Sequence, residues 1–291
     1  MIEFLQQTSN GLVLGSSYVL IALGLTMIFG MLNILNFAHG ELLMVGGFAT
    51  LGIAVGLNVP YLFAIFLSMI VVGVLGIVIE RTAFRPLRKS DGINLLVTSL
   101  AVSILLQNLM QIIVGPDPHN IVSPFSQTNF DLGGVILNGH RLFIFIFSFI
   151  LISILYFVIQ RTKIGIAMRA CAFDMETAQL MGIKASTVIV TTFAVGSALA
   201  ASAGALLAPI FSVYPTMGVM STMKAFVVVL LGGVGNIPGA IVGGLIIGLT
   251  ETYAAGYISS EYKDVFAFVI MILILLFKPE GLFGKNVQEK V

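Results

Sequence analysis

Gly11-Leu12-Val13-Leu14-Gly15-Ser16-Ser17-Tyr18-Val19-Leu20-Ile21-Ala22-Leu23-Gly24-Leu25-Thr26-Met27-Ile28-Phe29-Gly30-Met31-Leu32 carries no charged residue. A helix rising ~1.5 Å per residue needs ~20 such residues to cross the apolar core of a bilayer. The stretch therefore reads as a membrane helix, and the rest of the chain repeats it. Apolar runs follow at 38–57, 60–79, 93–114, 142–159, 187–208, 225–235, 238–257 and 265–277. The seventh is short for a full crossing and lies between Gly-rich turns, so it could form a re-entrant hairpin with the eighth. Of the 291 residues, 58% are apolar and 9% charged. An ordinary soluble domain has ~25% charged residues, so this chain cannot coat a soluble globule. The runs lack the period-2 alternation of a membrane β-barrel. The expected fold is an all-α integral membrane protein, 1–291 as one domain. It is a polytopic helical bundle of roughly eight or nine membrane segments, one of them possibly re-entrant.

Charge gives orientation. Arg81, Arg85, Arg88 and Lys89 fall in one loop, Arg161, Lys163, Arg169 and Lys184 in another, and Lys278, Lys285 and Lys290 in the tail. The positive-inside rule puts these three clusters in the cytoplasm. The N-terminus is then external and the C-terminus cytoplasmic. Arg141, Lys224 and Lys263 read as isolated loop charges. The 115–141 connection, with Gly115, Gly133, Gly134, Pro116, Pro118 and Pro124, reads as an external turn-rich loop. A net charge of +1 gives no reason to expect nucleic acid. Cys171 is the single cysteine, which excludes an internal disulfide. The first ten residues contain Glu3 and no Lys or Arg, so no secretory leader is expected.

Polar groups inside apolar runs need a reason. Asn33, Asn36, His39 and Glu41 lie among Gly30, Gly40, Gly46 and Gly47. They fit either a capped turn between two spans or the wall of a translocation path. Gln107, Asn108 and Gln111 fit either interhelical hydrogen bonding or lining of a path. Glu251 fits an external vestibule or a helix cap. These groups are too sparse for a proton relay, and none forms a catalytic or metal-ligating set. Close helix packing is expected at Gly11/Gly15, Gly52/Gly56, Gly239/Gly243, Gly244/Gly248 and the Gly196-Ala200-Gly204 ladder. Gly30-Met31-Leu32-Asn33 also lies weakly parallel to Gly233-Val234-Gly235-Asn236, as paired interruptions in transporter halves do. The short run 232–240 should be a non-helical break at membrane depth.

Residues 160–186 form the longest cytoplasmic connection. Within it Asp174–Met181 is helix-prone, acidic at its start, and ends at Gly182, a suitable C′ residue. Met175, Ala178, Leu180 and Met181 offer an apolar edge, while Asp174 and Glu176 are polar rim groups.

The Glu176-Thr177-Ala178 sequence followed by Gly182 resembles the EAA loop of ATP-binding-cassette (ABC) importer permeases, with Thr177 in place of an alanine. A wider set is more specific. It comprises Asn36-Phe37-Ala38-His39-Gly40-Glu41, Glu80-Arg81 with Arg85-Pro86-Leu87-Arg88, Arg169-Ala170, and Leu180-Met181-Gly182-Ile183. It continues with Leu231 to Ala240 and Phe277-Lys278-Pro279-Glu280-Gly281-Leu282-Phe283-Gly284. In this order, from about 10 to 284, the chain resembles the shorter subunit of the branched-chain amino acid ABC transporter permeases. The resemblance implies a plasma (inner) membrane location, a second permease subunit, two cytoplasmic ATP-binding subunits and an external (periplasmic) amino-acid-binding protein. It implies a coupling helix around 172–183. No GxxxxGK[ST] motif occurs, so the chain is not expected to be an ATPase and needs no cofactor or metal. Two alternatives stay open: an ion-coupled carrier or channel acting alone, and an ABC permease for urea or short amides.

Overall fold

The computed structural model describes residues 1–33, 35–88 and 90–284. Lys89, Lys285 and Lys290 of the basic clusters lie outside them. The first helix, α1, is Ile2–Leu32. It stops where Asn33 enters the left-handed region (φ 54°) and donates its N–H to Phe29 O at 2.7 Å. Asparagine tolerates that backbone better than most residues. Helix α2 (His39–Leu51) continues through a π turn to Gly56, and α3 (Tyr61–Ile79) continues through a π and a 3-10 turn to Leu87. Next come α4 (Gly92–Val114), strands β1 (Asn129–Leu132) and β2 (Val135–Asn138), and α5 (Gly139–Arg161). Two short helices follow, α6 (Lys163–Phe173) and α7 (Met175–Leu180). The chain then forms α8 (Ala185–Leu207), α9 (Met217–Gly232), α10 (Ile237–Tyr257) and α11 (Lys263–Phe277).

Among the described residues, seven of these stretches are long and apolar enough to cross a membrane, counting α2 and α3 with their continuations. Helices α9, of 16 residues, and α11, of 15, are shorter. The protein is thus an all-α membrane protein in its spans. The 115–141 connection nevertheless contains an antiparallel hairpin, turned by Gly133 (φ 68°) and Gly134 (φ 97°). Two residues with positive φ are what a tight hairpin needs.

Helices α1 and α8 form the centre, and glycine sets how closely their neighbours approach. Carbonyl oxygens and Cα atoms of α10 occupy the space beside Gly11 and Gly15. A Cβ on Gly15 would stand 2.9 Å from Gly244 O, and one on Gly11 2.8 Å from Leu249 Cα. Helix α1 meets α8 at Gly24 and Gly196, where a Cβ on Gly24 would stand 2.7 Å from Gly196 O. Gly239 and Gly243 pack on α9, and Gly204 packs on α2 at Leu43 and Gly47. Gly52 and Gly56 differ from expectation: nothing lies within 4 Å of either. They sit in the π turn at the exposed end of α2, so their spacing serves no helix contact.

Two helices begin part-way along the bundle. His39, at the start of α2, places its ring nitrogen Nε2 3.1 Å from Ile21 O in the interior of α1. That is eleven residues, or ~16 Å, short of the end of α1. Helix α9 starts against this same turn, with Gly218 and Thr222 packed on Gly40. Each follows a full-length helix and a non-helical return: α1 then α2, and in the opposite sense α8 then α9. Inverted repeats with broken helices are a transporter device.

This arrangement corrects three expectations. The seventh segment is not 225–235 but starts at Met217, so Lys224 sits within a helix rather than a loop. The eighth segment, α10, is long enough to cross a membrane by itself, without pairing with the seventh in a hairpin. Helix α9 ends beside the C-terminal end of α1, where Gly235 approaches Gly30, and α10 runs back along α1. The break is confined to 233–236 and lies at the end of the bundle rather than at membrane depth, with Gly233 and Gly235 at φ 99° and 75° and Asn236 Oδ1 capping α10 by accepting Gly239 N–H at 2.8 Å. The weak parallel between the 30–33 and 233–236 segments marks neighbours, not repeat partners. The partner of the return before α2 is the return before α9.

The described basic clusters share one end of the bundle, and Met1 lies at the other. Arg169 shares a small cavity with Met31, Ile159 and Gly235. The tail returns to the same end, where Leu282 N–H donates to Leu231 O at 2.8 Å. At the opposite end Gln6 bonds the hairpin through Ile136, and Tyr61 donates to Ala205 O at 2.7 Å.

Candidate functional site

The chain brings polar groups together in three places. The first is the meeting of α2 and α9. Asn36 is buried, and its Oδ1 accepts Ala38 N–H at 3.1 Å, which turns the chain into α2. His39 and Glu41 are both 0% exposed. Glu41 Oε1 accepts Gln107 Nε2 at 2.8 Å and Ser103 Oγ at 3.1 Å, both from α4. Its Oε2 lies against Gly218 at the start of α9. A carboxyl group in the first turn of one helix and against the first turn of another is favoured by both dipoles. Gln107 therefore joins the Glu41 cluster, but its two companions do not. Asn108 is exposed and bonds its own helix at Ile104 O, and Gln111 is exposed. Asn33 is an exposed helix cap. We expect Glu41→Ala to leave two donors without an acceptor, at ~1–3 kcal/mol for each buried one. Glu41→Gln keeps an acceptor and should retain more than half of that stability. Thermal unfolding of the purified protein in detergent checks both.

The second place was only half foreseen. Glu251 lines a cavity of about 560 Å³ at the hairpin end of the bundle, as a vestibule residue would. It does so as part of a charge network. Lys224 Nζ lies 3.0 Å from Glu251 Oε2 and 2.7 Å from Asp264 Oδ1, and the Tyr18 hydroxyl donates to Glu251 Oε2 at 2.7 Å. Reading Lys224 as a loop charge hid this pairing. A lysine seven residues into an otherwise uncharged helix was the available signal.

The third place is the 160–186 connection, at the basic end. Sequence reading anticipated one helix here, whereas the structure has two. Thr162 starts α6, its Oγ1 accepting Gly165 N–H at 3.2 Å. Asp174 starts α7, its Oδ1 accepting the N–H groups of Glu176 and Thr177, both at 3.0 Å. The helix ends on Gly182 at φ 88°, with Gly182 N–H bonded to Gln179 O and Ile183 N–H to Ala178 O. This paired closure is a Schellman motif, which glycine's freedom at positive φ permits. Leu180, Met181 and Phe173 are 87%, 80% and 95% exposed. Met175 is half-buried and Glu176 exposed, but Ala178 is buried beneath the helix, so it offers no outward contact. The bond from the Thr177 hydroxyl and the two N–H groups hold the Asp174 carboxyl below its usual range. A lowered folded value means that the cap is fully present above the ordinary aspartate range. It is lost as pH falls through the lowered value. Amide exchange at Glu176 and Thr177 should stay slow at pH 5 and quicken only on strong acidification.

A glycine-packed bundle with inverted broken helices and a capped helix projecting from one end is the architecture of a membrane transport protein. Residues 7–275 match the family described as branched-chain amino acid transport system / permease component, and the chain belongs to that family. It is 39% identical to the high-affinity branched-chain amino acid transport system permease protein BraD of Pseudomonas aeruginosa, covering 99% of this chain and 98% of that one. It is 40% identical to the corresponding LivH protein of Escherichia coli, with the same coverage. A probable LivH permease of Methanocaldococcus jannaschii is 30% identical over 94% of this chain and 91% of its own. No solved structure matches.

Proposed function

We propose that the chain is one permease subunit of an ABC importer for branched-chain amino acids. The whole chain acts as one membrane domain in the inner membrane, crossing nine times with Met1 outside and the tail in the cytoplasm. Seven long helices, two shorter ones and the gathering of basic residues at one end support that count and orientation. It pairs with a second permease, which the exposed amides of Asn108 and Gln111 on α4 face. Asn33, Asn36, His39, Glu41 and Gln107 form the wall behind that face, bordering the translocation path. An external binding protein delivers the amino acid, and two cytoplasmic ATP-binding subunits drive its passage.

The observation that carries this reading is α7. It is a stiff, doubly capped helix with exposed Leu180 and Met181, standing at the basic end where an ATPase would dock. Asp174, Met175, Glu176 and Gly182 orient it, while Ala178 fastens it to the bundle. Co-purification from gently solubilised membranes, with leucine uptake in proteoliposomes, tests it. Retrieval of an ATPase and strict dependence of uptake on ATP are expected. One observation favours a second reading, an ion-coupled carrier acting alone: Lys224, Glu251 and Asp264 form a titratable network beside a cavity. Uptake by the isolated chain, abolished by an ionophore and indifferent to ATP, would establish that reading instead.

A further inference from the structure

The cavity of about 560 Å³ has a charge pattern that helix packing does not require. Four charged side chains line it, two of each sign: Lys224 and Lys263, Glu251 and Asp264. Glu251 is 1% exposed. Its Oε2 is engaged by Tyr18 and Lys224, yet its Oε1 has no hydrogen-bond partner among the described residues. Lys263 makes no ion pair among them. A buried ion pair offsets its desolvation only when its remaining atoms are also bonded. Here one carboxylate oxygen and one ammonium group are left without a protein partner, on two residues that line the same cavity. The remaining lining joins an apolar wall, with Leu14, Leu207, Ile210, Phe211 and Met220 in it, to the hydroxyl-bearing Tyr18, Ser212, Tyr214 and Ser221. The volume falls within the ~300–1,000 Å³ of small-molecule sites.

Resting on the importer reading, we propose that this cavity is a receiving site for a small zwitterion with an aliphatic side chain. The ligand's ammonium pairs with Glu251 Oε1 and its carboxylate with Lys263. Its side chain lies against Leu207, Ile210 and Phe211. The alternatives fit less well. An anion would meet Glu251 and Asp264, a cation would meet Lys224 and Lys263, and an uncharged ligand would leave the carboxylate oxygen unmatched. The buried Tyr18–Glu251–Lys224 bonds hold the acidic side of the site in place before the ligand arrives.

Equilibrium binding to the assembled complex in nanodiscs, without the binding protein, tests the site. The probes are leucine, isopentylamine, which lacks the carboxylate, and 4-methylpentanoate, which lacks the ammonium. Saturable leucine binding is expected, with each single-charge analogue at least tenfold weaker. Lys263→Gln should weaken leucine about tenfold while leaving isopentylamine unchanged. Glu251→Gln should do the reverse, weakening leucine and sparing 4-methylpentanoate. Lys263 is half-buried and has no ion-pair partner, so its variant should fold even if the Glu251 variant does not. Absence of saturable binding to the wild-type complex, or variants that affect all three probes alike, overturns the site. Leucine uptake by the same complex with its binding protein is measured alongside. A complex that imports leucine yet shows no such binding keeps the importer reading and loses this one. A complex that binds the zwitterion but imports no branched-chain amino acid does the opposite.

Discussion

Gly40→Val is expected to prevent the permease from reaching a stable folded state. A Cβ at Gly40 would overlap both Thr222 Oγ1 and Gly218 O. The threonine side chain can rotate, but the Gly218 carbonyl belongs to the first turn of α9 and cannot move without shifting that helix. Helix α9 is in turn fixed at its other end by Gly232, which abuts Gly239 and Ala240 of α10. The overlap has no free direction in which to relax, so the cost should reach or exceed ~3 kcal/mol, the upper end of ordinary overpacking. The position also carries the carboxyl cluster, since Glu41 follows directly and its Oε2 lies against Gly218. Moving α9 away would strip Glu41 of that packing as well. Size-exclusion profiles and thermal unfolding in detergent should show loss of the monodisperse, cooperatively unfolding species. Gly52→Val is the matched control. It lies in the same helical stretch with nothing within 4 Å, and should leave the profile unchanged. A Gly40→Val protein as stable as that control would show that the two broken helices do not depend on this contact.

Hydropathy makes the spans legible because it counts apolar residues, and α1, α3, α4, α5, α8 and α10 emerge close to where the runs lie. It is blind to depth. Nothing in the composition of 38–57 says that His39 starts level with Ile21 in the interior of α1, or that α9 starts against the same turn. Those facts depend on which glycines meet, and Gly40 and Gly218 lie 178 positions apart in sequence. The hairpin was legible and missed: Gly133-Gly134 between the alternating Asn129–Leu132 and the β-branched start of Val135–Asn138 is a strong turn signal. The polar groups divide along the same line. The Gly182 closure is local and legible in the sequence, as is an acid at the start of α7, although Asp174 is the N-cap and not a first-turn residue. Gln107 meeting Glu41 across 66 positions is not local. Its neighbour Asn108 is turned ~100° around the helix and faces outward.

Replacing Gly182 with valine is expected to leave the permease inserted and folded but uncoupled from ATP hydrolysis. The residue has φ 88°, and nothing lies within 4 Å of the position a Cβ would take. No clash arises, so the bundle should be unaffected. The cost is in the backbone alone, ~1–3 kcal/mol for a β-branched residue held at positive φ. The loop relieves that cost by leaving the left-handed region, which breaks the Gly182 and Ile183 N–H bonds to Gln179 O and Ala178 O. The last turn of α7 then opens, and Leu180 and Met181, the exposed apolar pair, lose their fixed position. A lever that transmits force must be stiff up to its point of contact, so the ATPase would close without moving the permease. In proteoliposomes, basal hydrolysis should persist while stimulation by loaded binding protein disappears and leucine uptake falls at least tenfold. Gly182→Asn should keep most of the coupling, because asparagine accepts the left-handed backbone. Leu180→Asp should mimic Gly182→Val by a separate route, placing a charge where an apolar contact is needed while leaving the helix closure intact. Wild-type uptake and stimulated hydrolysis in both Gly182→Val and Leu180→Asp would reduce α7 to a connection. The site of force transmission would then have to lie elsewhere on the basic end, with α6 the nearest element able to bear it.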